Sequence, residues 1–187
     1  EQYSEVWWFY CSTGSTSVDS YVVYNYLDRV WYYGTMARTA WLDSGVLQYP
    51  IATDYNRRLL NHEDGNDDSS GPGAVAIDAY IQSSDFDIGD GHNFGFVWRI
   101  LPDVTFAGSS TANPSCTMVV KPRVNSGTAY GTPDEPTVTR TASYPVEEFT
   151  GQVYTRIRGR QMAFRIESAG VGTAWQLGAP RIDIRND

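Results

Sequence analysis

From residue 153 to residue 185 the chain reads VYTRIRGRQMAFRIESAGVGTAWQLGAPRIDIR, and its apolar residues recur at every second position. Val153, Thr155 and Ile157 alternate with Tyr154, Arg156 and Arg158. Met162, Phe164 and Ile166 alternate with Ala163, Arg165 and Glu167, and Ile182 and Ile184 with Asp183 and Arg185. A period of two sets the apolar members of a strand on one face. The stretch therefore predicts three β-strands, each with a dry side and a side that carries guanidinium groups. Such a side suits an acidic partner, and the rest of the chain is acidic. This favours an assembling structural protein over an enzyme.

Composition supports strands throughout. Aromatic residues make up 14% of the 187 residues, with 13 Tyr and 6 Trp, and aromatic and β-branched side chains favour pleated, half-buried surfaces. A chain of this length buries roughly 70% of its unfolded surface, enough for a real core. The formal net charge of -8 disfavours non-specific binding to nucleic acid or anionic lipid. Lys121 is the only lysine; the other basic side chains are arginines, whose planar forks suit interface ion pairs. Cys11 and Cys116 read as two small buried hydrophobes rather than a disulfide framework. No apolar run approaches the ~20 residues that span a bilayer. The chain opens inside strand-like sequence, which reads as entry partway through a longer polypeptide.

Along the chain, strands are predicted over 4–11, 20–26 and 30–33, linked by small-polar turns into a meander. The aromatic order of this meander is that of a β-propeller blade, and one blade cannot bury both of its faces. Short strands over 46–52 and 57–63 follow, completing a blade-and-hairpin region over 1–63. Residues 64–73 (DGNDDSSGPG) predict an acidic linker or loop. Strands over 74–82, 94–101, 103–106, 115–121 and 136–142, with those of the final stretch, predict an antiparallel β-sandwich over 74–187. Pro145 marks a helical turn at 146–149.

Charge is unevenly spread. Acids concentrate between Asp54 and Asp90, arginines between Arg140 and Arg185. The candidate subunit interface is Arg156, Arg158, Arg160 and Arg165. The candidate acidic lumen or opposing face is Asp64, Asp67, Asp68, Asp85, Asp87 and Asp90. Patches on opposite sides of a fold give head-to-tail contacts that close into rings; the alternative is that they pair within one molecule. The spacing of Asp64, Asn66 and Asp68 invites calcium, but an EF-hand wants Gly and Glu where Ser69 and Val75 stand. His62 and His92 are too few for zinc, and no hydrolase or phosphate-loop motif occurs. No catalytic residue, metal or cofactor is called for. The adjacent aromatics Trp7, Trp8, Tyr10, Tyr24, Tyr26, Trp31, Tyr32 and Tyr33 permit a sugar platform, although half of them must point inward as blade core.

Several blocks together carry a resemblance: 5–10 (EVWWFY), 19–26 (DSYVVYNY), 31–34 (WYYG), 38–41 (RTAW), 62–63 (HE), 89–91 (GDG), 158–168 (RGRQMAFRIES) and 175–181 (WQLGAPR). With them the chain resembles the C-terminal part of the propeller-bearing tail nozzle or hub proteins of short-tailed bacteriophages, related in architecture to packaged-DNA-stabilisation proteins. The resemblance implies a virion tail protein, made in the host cytoplasm, that forms a homo-oligomeric ring, commonly sixfold, around the DNA exit channel. Its partners would be copies of itself, an adaptor and fibres, and DNA would pass its acidic lumen without sequence recognition during ejection. A carbohydrate- or receptor-binding module of a phage tail is the alternative, and a glycan-degrading enzyme fragment a second one.

Overall fold

The computed structural model describes residues 3–137 and 139–186. Every helix or strand among them is a strand, and the protein is all-β. The chain divides into two compact units, one through Asp64 and one from Gly65.

In the first unit, β1 (Glu5–Tyr10), β2 (Ser20–Asn25) and β3 (Val30–Thr35) form an antiparallel meander. Trp7 lies opposite Val23, and Val23 opposite Tyr32. The β1–β2 connection is held by Asp19, whose carboxylate accepts from the Ser12 amide at 2.8 Å and the Ser12 hydroxyl at 2.6 Å. A second small sheet joins β4 (Ala40–Leu42), β5 (Ile51–Thr53) and β6 (Leu59–Asn61). The predicted strands at 46–52 and 57–63 thus shrink to three residues each, and β4 was not foreseen. Residues 44–49 turn instead, with Gly45 at φ +39°, and three residues are too few to register a period. Asp54 closes the β5–β6 turn by accepting from the Arg58 amide at 2.9 Å and its guanidinium at 2.6 Å.

The second unit begins with β7 (Asp67–Asp68) and β8 (Val75–Ala76), which pair with each other. The stretch read as a linker therefore carries one strand of a ribbon, whose partner opens the predicted 74–82 strand, and it is tied to the rest of the unit where the Gly172 amide donates to Asp67 at 2.8 Å. The larger elements are β9 (Ala79–Gln82), β10 (Phe86–Asp87), β11 (Gly95–Leu101), β12 (Val104–Thr105), β13 (Ser115–Arg123), β14 (Ala142–Glu147), β15 (Val153–Gly159), β16 (Gln161–Ser168), β17 (Gln176–Leu177) and β18 (Arg181–Asn186). One sheet runs β10-β16-β13-β14, with β9 also on β16; another runs β15-β11-β18; β12 and β17 form a short pair. The two larger sheets share one apolar core. Met118 and Val120 of β13, Val146 of β14, and Met162 and Ile166 of β16 meet Val97 and Ile100 of β11 and Ile157 of β15. This arrangement is sandwich-like: alternation gives β15 its inward face, and a register shift in β11 brings Val97 and Ile100 to the core.

Two expectations fail at residues 136–149. The strand predicted over 136–142 starts only at Ala142, and position 138 lies outside the described residues. The predicted helical turn is the end of β14 followed by an ordinary turn at 148–149. Pro145 cannot donate a ladder hydrogen bond, and β14 is an edge strand paired only with β13, where that donor is not needed.

Candidate functional site

Each unit presents one face rich in exposed aromatic or cationic side chains. In the meander, alternation sends Trp7, Phe9, Tyr21 and Tyr32 to one face and Val6, Trp8, Tyr10, Tyr24, Trp31 and Tyr33 to the other. The first face is covered within its unit. Trp7 stacks on Tyr21 at 4.8 Å and on Trp41 of β4 at 5.7 Å, and Trp41 lies 4.5 Å from the His62 ring. His62 is buried, and its Nε2 accepts from Arg38 Nε at 3.0 Å, a structural role that needs a lone pair on that nitrogen. Partial burial and the neighbouring Glu5 carboxylate push the Glu63 carboxyl above its usual range.

The second face is open. Trp31 stacks on Tyr24 at 4.5 Å and on Trp8 at 5.8 Å, yet Trp31 is 62% exposed and Tyr33 70%. Contiguous apolar surface of this kind marks an interaction site more often than a solvent face.

In the second unit the outer face of β15-β11-β18 is cationic. Arg99 of β11 stands between Tyr154 and Asp183, and Phe96 between Arg158 and Arg185. Arg156 on β15 and Arg181 on β18 point the same way by alternation, opposite the buried Ile157 and the core-facing Ile182. A register shift between Val97 and Arg99 turns Trp98 outward beside Arg99. The guanidiniums of Arg99 and Arg185 lie 4.8 and 4.6 Å from the Trp98 ring centre, and Tyr154 stacks against Trp98 at 6.2 Å. Asp183, an acid on this face, accepts from Arg99 at 2.5 Å. This leaves a plate of arginines spread over aromatic rings.

The four arginines singled out in the sequence do not share one surface. Arg156 and Arg158 lie on this plate, and Arg158 sits 4.8 Å from the Phe94 ring centre. Arg160 occupies the β15–β16 hairpin, where it donates to Asn125 at 2.7 Å. Arg165 projects from β16, on the outer side of the other sheet. There it donates to Glu167 at 2.6 Å, covers the Tyr80 ring at 3.9 Å, and lines a cleft of about 360 Å³ with Asp78 and Thr117. Arg99, Arg181 and Arg185 were missed as plate members, because only the pairing of β11 between β15 and β18 assembles them.

The acids are largely used at home. Asp85 accepts from Arg123 and from the Tyr130 hydroxyl, Asp87 from Gln161 at 2.9 Å, and Asp90 from the His92 amide at 3.0 Å. Asp67 is engaged with Gly172, and Asp68 accepts from the Ser70 amide at 2.8 Å. Asp64 closes the first unit. Asn66 donates to the Gly108 carbonyl, and no acid, histidine or cysteine cluster among the described residues has metal-binding geometry. Cys116 is buried, and burial pushes its thiol up to about 11. Cys11 is exposed rather than buried, because it falls just beyond β1 at the start of a turn. No family model matches the chain, and no curated protein matches it either.

Proposed function

We propose that the chain is a structural component of a phage virion tail, part of a ring around the DNA exit channel that retains DNA and guides its ejection. The observation that carries this reading is the open aromatic face of β1-β2-β3. A propeller blade covers such a face with the sheet of the next blade, so the meander reads as one blade of a propeller, with residues 1–63 as blade and hairpin, 64–73 as the connection, and 74–187 as a β-sandwich. The resemblance to tail nozzle and hub proteins supports the same reading. The net charge of -8 supports it too, since a lumen of that sign lets a polyanion pass without adhering. Copies of the chain, adaptor and fibres are the partners, and the role is mechanical and electrostatic rather than catalytic. Electron microscopy of purified source particles labelled with an antibody to this chain tests the reading: label around the tail channel is expected, and particles that lack the chain overturn it.

The exposure of Trp8, Trp31 and Tyr33 favours a second reading, a carbohydrate- or receptor-binding module. Binding on a glycan array that disappears in Trp31→Ala would support it over the first.

A further inference from the structure

We propose that the arginine plate on β15-β11-β18 receives the acidic tip between β14 and β15 of a second copy of the chain. The inference rests on the reading of the chain as an assembling tail component and names one contact between its copies.

The tip has the chemistry that the plate lacks. Glu147 ends β14, Glu148 and Phe149 form the turn, and the Thr150 amide closes it on the Glu147 carbonyl at 2.9 Å. Both glutamates are exposed, and neither has a cation partner among the described residues. Phe149 is 92% exposed, so its ring touches almost nothing of its own chain. An acidic turn with a bare phenyl ring at its apex is uncomfortable in water and complementary to a cationic aromatic plate.

The plate offers the converse. Arg156, Arg181 and Arg185 are exposed. Asp183, the acid on the plate among the described residues, is held by Arg99. Trp98 and Tyr154 provide rings on which a phenyl can stack. Arginine, tryptophan and tyrosine are also the residues that most often anchor protein interfaces. If the tip of each copy meets the plate of the next in one rotational sense, the contact propagates from copy to copy and can close a ring.

Sedimentation of the full chain tests this, with circular dichroism confirming that each variant folds. The wild type is expected to self-associate at ~0.05 M salt and to loosen at ~0.5 M. Arg156→Glu with Arg185→Glu, and Glu147→Arg with Glu148→Arg, should each raise the dissociation constant at least about tenfold. Phe149→Ser should weaken association without altering charge. Mixing the two charge-reversed variants should restore association, because each then meets an opposite sign. A wild type that stays monomeric at low salt overturns the proposal, as does association untouched by both variants, or a mixture that fails to recover. Labelled single-stranded DNA bound by the wild type and lost in the arginine variant, with copies remaining apart, assigns the plate to nucleic acid instead. These outcomes are read on purified chain and are separate from whether virions contain it.

Discussion

Asp19 is the best-defined electrostatic residue of the first unit. Hydrogen bonds from the Ser12 hydroxyl and amide hold its carboxyl at about 2, against an ordinary 3.8. A carboxyl whose folded pKa is depressed favours folding while it is ionised. That contribution is complete above ~pH 4 and is lost as the pH falls through about 2. A carbon-detected NMR titration should place the Asp19 midpoint near 2, and Ser12→Ala should move it up toward 3.8. Gly34 is a steric counterpart. A Cβ there would run into the Tyr21 ring, which lies across β3 at that point. Gly34→Val should destabilise the protein by about 1–3 kcal/mol in urea unfolding, with the Tyr21 ring displaced.

At the scale of elements, β11 carries both the core and the plate. Its buried positions, Val97 and Ile100, are three residues apart, not two, because the register shift at Trp98 turns two successive side chains outward. Truncation inside and outside should therefore differ. Ile100→Ala opens a cavity in the shared core and should cost about 2–5 kcal/mol. Arg156→Ala, on the exposed side of β15, should change stability by less than about 0.5 kcal/mol. Equal losses from the two in chemical denaturation would show that the faces are not what the register makes them. The alternation of β15 was legible from residue order alone, since its buried and outward positions alternate without a break, whereas in β16 Ala163 is buried beside Met162 and Phe164, and in β18 Ile184 is exposed. The shift in β11 was not, because FGFVWRIL is apolar at nearly every position and a continuous run has no readable period. The short strands β4, β7, β10 and β17 escaped for a related reason, as two or three residues hold no pattern.

At the scale of the whole molecule, acidity governs behaviour in solution. With a sequence pI near 4.7, repulsion between copies vanishes around that pH, and solubility should pass through a minimum there. Turbidity measured across acidic pH checks this; a minimum displaced by more than about one pH unit would mean that ion pairing has shifted the balance of charges. What the sequence determined by itself was the all-β class, the two-sided character of the final strands and the sign of the overall charge, because these depend only on local period and composition. Tertiary structure alone decided which charges meet. It set Asp85 against Arg123, sent Arg165 to the opposite side of the unit from Arg156, and gathered Arg99, Arg181 and Arg185 into one plate. Neighbours across a sheet come from strands far apart in the chain, and the order in which those strands pair is a property of the packed core that no single strand carries.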